Sequence, residues 1–588
     1  MGWRAHRWRL YGLALRETAR APGLWLRRKM HGLRWRVPSP ERLLFAPQDL
    51  RTSDPTVAQD IFGGLFAFAD GQVEARGRSP FDLAPPSAAW ARALHGFGWL
   101  RHLRAADSAQ AREGGRQLVA DALGPRRREI ERGIGRETRV VARRVISFLC
   151  QSPLVLNGAD RAFYGVFLRA IGRGVAVLEA DVATARDPHD RLVAAIALSY
   201  AALCCSGFEN RLRRATRLLS DELGAQILAD GGHVSRNPGV LVGLLLDLLP
   251  LRLLYASRSL EAPEALGRAV DRMMPMLRYL RGPGNELALF NGMGATPVDQ
   301  IATLFSYDSV RAPPPSYADA SGYLRLEAGG TVLLADTGGA PPPDSAAAAH
   351  AGCLSFELST DGAPLVVNCG TPASHPALSQ ASRRTAAHST VSVGATSSGL
   401  FLDEAGGVVA PWLARRLGPV MAAGPREVLV DKGTGPDAGL SCTARHDGYA
   451  ASCGLTHERR WILFPDGGRL DGEDTLAAAG GQPPPVDAVL RFHLHPAVSP
   501  HQTEDGRIEL SARRGSAWRF SCESAAATIE ASIYHGGPAG RRPCRQIVVP
   551  FPPIPNPTVR WRFERIAADP RPGPDPGRDA ASASHTSP

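Results

Sequence analysis

The feature that most restricts how this chain can fold is a change of hydrophobic period near its middle. Before Arg311-Ala312-Pro313-Pro314-Pro315 the apolar residues recur every three or four positions; after it they alternate. One face of a helix repeats at about 3.6 residues and one face of a strand at 2, so the two parts must be built from different elements. Helical periodicity runs through residues 89–106, 140–154, 161–178, 190–205, 209–227, 238–254 and 263–280. Asp160 marks one helix start, and Gly282-Pro283-Gly284 a stop after the last. Helices in such succession with short connections predict helix packed on helix, and no repeat of a solenoid type is visible. Beyond the switch, alternating runs at 323–328, 331–336, 354–359, 364–368, 389–393, 459–464, 489–495, 507–510 and 546–550 predict a large antiparallel sandwich. The expected division is a basic N-terminal extension with an amphipathic helix (1–44), a helical domain (45–310), a β-sandwich (316–566) and a Pro/Asp/Arg/Ser-rich disordered tail (567–588).

A length of 588 residues exceeds what one core organises, and 44% hydrophobic with 21% charged residues is an ordinary globular balance. The net charge of +11 comes almost wholly from arginine. Guanidinium groups bond carboxylate or sulfate through two parallel hydrogen bonds, which suits a polyanionic partner. A GC-rich coding bias, inflating Arg, Ala, Gly and Pro together, explains the same excess. No stacking motif accompanies the charge, so nucleic acid is not an expected partner. No P-loop, nucleophile elbow or dinucleotide fingerprint follows a strand.

Nine cysteines include no CxxC pair. Asp447-Gly448 reads as a two-residue hairpin turn, which would set Cys442 opposite Cys453 at a Cα separation of roughly 5.5 Å, suited to a disulfide. Buried, reduced thiols are the alternative. No stretch matches a membrane span of ~18–20 apolar residues; 240–254 contains Asp247, Pro250 and Arg252 and reads as a buried helix. The N-terminus is interrupted by arginines every few residues and does not read as a secretory leader. With Trp3, Trp8, Trp25 and Trp35 it could make peripheral contact with an anionic membrane, or pack on the helical domain.

Several segments carry a family resemblance. They are His350-Ala351-Gly352-Cys353-Leu354-Ser355-Phe356-Glu357, Val366-Val367-Asn368-Cys369-Gly370, Arg384-Thr385-Ala386-Ala387-His388-Ser389-Thr390-Val391, Arg445-His446-Asp447-Gly448-Tyr449, His457-Glu458-Arg459-Arg460 and Phe492-His493-Leu494-His495-Pro496. With Asp230-Gly231-Gly232-His233 and Leu94-His95-Gly96-Phe97-Gly98-Trp99-Leu100 upstream, they resemble the heparinase II/III-like family in order across residues 45–565. The resemblance implies a multidomain α+β protein, an N-terminal (α/α) toroid followed by a C-terminal antiparallel β-sandwich, with an acidic polysaccharide held between them. Active members are lyases of uronate polymers such as heparin, heparan sulfate and alginate, working by β-elimination. That reaction needs the uronate carboxylate neutralised, a base for the C5 proton and an acid for the leaving oxygen. The cell envelope or periplasm is the compartment the resemblance implies; the missing leader leaves the cytoplasm open.

By the same resemblance, His350, Asn368 and His388 fall at positions that hold an ion in zinc-containing members, so zinc or another divalent metal is the cofactor they would take. Asn368 stands where an Asp is expected, and Ala348 where a catalytic histidine is expected. Tyr449 is the candidate acid, with His233 and His350 as further catalytic candidates. Arg236, Asn237 and Arg384 are the candidate substrate-binding residues, the first two beside a helix N-terminus at Pro238. Ser235 replaces a Glu and Val240 a Tyr; His189-Asp190 stands in place of an Asn-His pair. His493 and His495 share one face of a strand at period two, a spacing open to metal or to plain packing. For each residue the competing reading is structural: satisfied histidines beside a core strand, a packed tyrosine, a helix cap. Two functions follow, a polysaccharide lyase or a lyase-shaped protein that binds or helps assemble a surface polysaccharide without cleaving it.

Overall fold

A computed structural model of the chain describes residues 2–32, 39–124, 126–308, 314–315, 317–372, 375–480, 485–512 and 517–566. The tail from 567 lies outside the described residues. The helical part is an (α/α) toroid. Its helices begin where capping chemistry says they should: the Asp160 carboxylate accepts the Phe163 N–H, and Asp187 and Asn237 cap helices that open with Pro188 and Pro238. Pro238–Ser257 is long and apolar enough to cross a membrane by length and composition. It is instead a core helix of the toroid. Leu241, Leu245 and Leu248 are buried among its neighbours, and Asp247 in mid-helix is paired with Arg51 at 2.8 Å and Arg143 at 3.0 Å.

Two expectations for the helical part need correcting. The single helix over 89–106 is two, Ala88–Gly96 and Leu100–Ala106, broken at Phe97, whose backbone is left-handed (φ 58°). The break turns the Phe97 ring into the core, 4.9 Å edge-on to Phe148. A small hairpin, Leu65–Phe68 with Gly71–Glu74, also sits among the helices.

The sandwich is two antiparallel eight-stranded sheets. One runs Val428–Thr434, Leu440–His446, Leu455–Leu463, Arg469–Ala478, Thr558–Ile566, Ala517–Cys522, Ile508–Ser511, Ser499–Gln502. The other runs Thr528–Tyr534, Arg542–Phe551, Ala488–Leu494, Ala363–Val367, Phe356–Thr360, Thr331–Asp336, Tyr323–Ala328, with Val391–Val393 beside Ala488–Leu494. Between them Phe356 stacks on Trp561 at 5.6 Å, and Phe492 and Phe563 complete the aromatic centre. Arg459 crosses this core fully buried, bonded to Asp474 and to the carbonyls of Leu354 and Ser389.

The tight hairpin at Asp447-Gly448 is not formed. Leu440–His446 pairs with Leu455–Leu463 so that Cys442 faces Trp461, and a short helix, Ala450–Cys453, fills the longer connection. Cys442 and Cys453 are both free, as are the other seven cysteines. The left-handed residue that the connection needs is Gly454, one place past the helix (φ 67°), rather than Gly448.

Toroid and sandwich share one apolar cluster: Leu287, Leu289 and Phe290 pack with Tyr323, Val332, Leu334, Val367 and Tyr534. The N-terminal helix Gly2–Gly32 rests mainly on the sandwich, with Leu10 buried against Leu402, Leu413 and Val420. Glu17, 3% exposed, reaches the toroid at Arg186 (2.7 Å) and the sandwich at Arg416 (3.3 Å). On its other side Trp8 is 74% and Leu15 72% exposed.

Candidate functional site

The loop Asp230–Asn237 and the sandwich strands it faces form a polar seam between the domains. Arg236 has a left-handed backbone (φ 61°), which turns its side chain away from its own helix and into the sandwich. Its Nε donates to Ser321 O (2.7 Å), Nη1 to Gly338 O (3.2 Å) and Gly339 O (2.9 Å), Nη2 to Gly322 O (3.0 Å) and to the Asp336 carboxylate. A guanidinium has five N–H donors, and all five are taken. Burial works against its charge, but Asp336 more than compensates and its pKa is raised. Arg236 therefore has no donor for a uronate carboxylate; it bolts the toroid to the sandwich. Asp230 acts likewise, accepting the Ser321 N–H (2.7 Å) and hydroxyl (2.8 Å).

From Asp336 the network continues to the histidines. Asn291 Nδ2 donates to Asp336 (3.1 Å), and Asn291 Oδ1 accepts the backbone N–H of His350 (3.4 Å). The histidine tautomers then follow from one fixed partner. His388 Nδ1 lies 2.8 Å from the Arg384 carbonyl, which can only accept, so Nδ1 carries the proton and Nε2 does not. His350 Nδ1, 3.0 Å from that Nε2, must donate, which leaves His350 Nε2 to accept from the Thr371 hydroxyl at 3.1 Å. Both rings are buried and neutral: burial, aided by His388 and Arg383, pushes His350 well below the ordinary range, and burial holds His388 at about 4.

His233 is committed in the same way. Gln226 gives its amide hydrogens to Pro188 O and Glu222, so its oxygen faces His233 Nε2 (3.0 Å) as an acceptor. His233 Nδ1 accepts from the Ser235 hydroxyl (2.8 Å) and N–H (3.1 Å). Burial, with His189 adding to it, lowers His233 to about 3. Neither His233 nor His350 has a lone pair left without a donor, which a base for a sugar proton would need.

The remaining candidates fall in different places. Tyr449 does not reach the seam. It is fully buried in the sandwich core behind Val391–Val393, its hydroxyl donating to Val391 O at 2.7 Å, and burial pushes its pKa upward. Asn237 caps Pro238–Ser257 through Gly239 N (2.8 Å). A Cβ added at Gly292 would meet both Ala348 (2.8 Å) and Asn237 Nδ2 (3.0 Å), so Asn237 and the exposed Ala348 edge the mouth of the seam. Arg384 is turned to Asp403 (3.2 Å) and Glu404 and lies over Phe401.

The expected metal triplet does not assemble. Asn368 Oδ1 accepts the Ser389 N–H (2.9 Å) and its Nδ2 donates to Glu357 (3.3 Å), away from both imidazoles. His350 points a proton, not a lone pair, at His388. No group of three His, Cys, Asp or Glu suited to a metal occurs among the described residues. The donors present do not fit zinc. His493 and His495 do not act together either: His493 bonds Ser532 (2.7 Å), while the His495 ring packs on Tyr534. Reading the sequence missed Asp336, Asn291 and Ser321 as seam residues; Asp336 ends a strand and the other two lie in turns, and none carries a local signal.

Comparison with known proteins agrees with this architecture. Residues 310–562 match the family described as Heparinase II/III-like, C-terminal. FtsZ-localized protein C of Caulobacter vibrioides (strain NA1000 / CB15N) is 30% identical over 499 residues, covering 83% of each chain. The crystal structure of heparinase III superposes with a TM-score of 0.66 at 14% identity, over 92% of this chain and 88% of that one. Heparan sulfate lyase HepC from Pedobacter heparinus gives 0.54 at 15% identity over the same shares. These two likenesses speak to the fold alone. With a toroid docked on a sandwich, the matched C-terminal domain and a relative aligned along most of its length, the chain belongs to the heparinase II/III-like family.

Proposed function

We propose that this protein is a non-cleaving member of its family, one that binds an acidic polysaccharide of the cell envelope at the mouth of the seam beside Ala348 and Asn237. The observation that carries the reading is the complete internal use of the groups that chemistry would require. Arg236 has no spare donor, His233 and His350 have no spare lone pair, and Tyr449 is inside the core. Ala348 offers no base at the exposed position where the family resemblance expects a histidine. From the name of the Caulobacter relative we carry over localisation with FtsZ.

The test is incubation with a panel of uronate polymers, including heparin, heparan sulfate and alginate, with two readouts. Absorbance of the unsaturated product should stay flat while binding to at least one polymer is measurable by calorimetry. Rising absorbance would restore the lyase reading; no binding to any polymer would remove the glycan.

We further propose that the N-terminal helix touches an anionic membrane. Trp8, Tyr11 and Leu15 face outward on a helix whose only acidic residue is Glu17. Vesicles containing phosphatidylglycerol should sediment the protein and phosphatidylcholine vesicles should not. The double substitution Trp8→Glu, Leu15→Glu should abolish sedimentation, and undiminished sedimentation of that variant would reject the proposal.

A further inference from the structure

One cavity in the toroid belongs to neither the seam nor the sandwich. It lies between helices Ala109–Leu123, Thr138–Leu156 and Arg161–Asp181, beside the short helix Arg127–Ile130, and measures about 290 Å³. That is near the lower end for small-molecule sites, roughly 300–1,000 Å³. Leu123, Ile130, Val145, Phe148 and Val177 make its walls apolar. At its floor the helices meet closely: a Cβ on Gly174 would stand 2.6 Å from Val145.

Among the described residues, the charged groups in these walls are four arginines and one glutamate. Arg173 (2.8 Å) and Arg127 (3.8 Å) share that Glu131, and Arg136 pairs with Asp181 outside the cavity. Arg144 is different. Its Nε donates to His95 O (2.8 Å) and its Nη2 to Gly135 O (2.7 Å) and Ile130 O (3.4 Å), while Nη1 has no protein acceptor among the described residues. The carbonyls and the charge of Glu131 offset only part of what this environment costs the guanidinium. Burial holds the Arg144 pKa down to about 10, Arg173 adding to the drop and Glu131 opposing it. Arg144 is part-buried, and an Nη1 that meets no acceptor among the described residues leaves a charged donor open to a carboxylate brought by a ligand.

We infer that the toroid carries a binding site for a medium-chain alkyl carboxylate, its head on Arg144 Nη1 and its chain between Phe148 and Val177. The apolar walls would take the methylenes, and the surplus of arginine over glutamate selects an anion over a neutral or cationic head. A single chain is the occupant this volume suits, as opposed to a two-chain bilayer lipid.

The experiment is calorimetric titration of the full-length protein with sodium decanoate below its critical micelle concentration. Decanol and decyltrimethylammonium serve as probes of matched chain. Decanoate should bind saturably at one site, decanol at least tenfold more weakly, and the cation not at all. Ala176→Trp, which fills the cavity from its half-buried rim, should cost at least tenfold in decanoate affinity with an unchanged circular dichroism spectrum. Arg144→Met should cost as much. Absence of saturable decanoate binding, equal affinity for decanol, or undiminished binding to Ala176→Trp would each overturn the site. Should Arg144→Met fail to fold, Ala176→Trp still decides.

Discussion

Arg236 shows how far a residue's role can lie from its sequence neighbourhood. In Asp230–Asn237 it stands one residue before a helix cap, where a cation placed by the helix N-terminus could face an anionic sugar. Its left-handed backbone instead carries the guanidinium across the domain boundary, where Asp336 and four carbonyls absorb it. Replacing it by methionine keeps much of the volume but strands Asp336 as a buried carboxylate with Asn291 as its one side-chain donor among the described residues. Breaking a buried pair in this way costs about 3–5 kcal/mol. Arg236→Met should therefore lower the calorimetric melting temperature by several degrees, and Asp336→Asn in the same chain should recover part of the loss. A variant melting with the wild type would mean that the seam is not a structural lock. The conflict between a legible motif and an illegible role has one cause here. A local pattern predicts which backbone a residue sits on, not which distant carbonyls come within reach of its side chain.

At the level of elements, the switch from period 3.6 to period 2 was enough to read helix packed on helix followed by an antiparallel sandwich, while the toroidal arrangement came from the family resemblance. What it could not read were elements whose buried face is not apolar. Arg469–Ala478 turns Leu470, Gly472, Asp474 and Leu476 inward. Gly472 lies there because the Trp561 ring occupies the space of its missing side chain, and Asp474 because Arg459 and His457 neutralise it. Two of four inward positions thus carry no hydrophobic signal. The N-terminal helix hides its docking in the same manner. Among its basic residues one glutamate, Glu17, is the inward anchor, joining Arg186 of the toroid to Arg416 of the sandwich. Glu17→Ala would leave those two guanidinium groups facing each other without a carboxylate. Limited proteolysis should then cut within residues 2–32 several-fold faster while the remainder melts as before. Unchanged cleavage would show that Leu10 and its apolar neighbours hold the helix alone.

Over the whole molecule, buried neutral histidines set the acid limit of stability. They are spread through the toroid (His233), the seam (His350, His388) and the sandwich (His446, His493), so protonation strains both domains and their junction together. Burial is the first cause of each depression: His388 is held at about 4, His233 and His493 at about 3, and His350 and His446 well below the ordinary value. The unfolded chain takes up these protons near pH 6.5, and the folded chain does so only below about 4. Between those limits the unfolded state binds more protons, so stability present above pH 6.5 is lost as pH falls, by about 3 kcal/mol for His388 alone. Glu357 runs the other way. Burial raises it to about 7 although Asn368 and Leu289 donate to it, so the folded state binds its proton first. Its contribution is full below its unfolded value, near 4.5, and disappears as pH rises to about 7. The histidines outnumber it, and the net slope from pH 7 to 5 is downward. Glu357→Gln separates the two effects, because the amide mimics the protonated carboxyl at every pH. At pH 7.5 the variant should be more stable than the wild type by about 3 kcal/mol or less, and by pH 5 the gap should narrow to about 1 kcal/mol or less, so its acid limb is the steeper one. Chemical denaturation of both proteins at half-unit steps from pH 5 to 7.5 measures this directly, and parallel curves would show that Glu357 is ionised in the fold throughout.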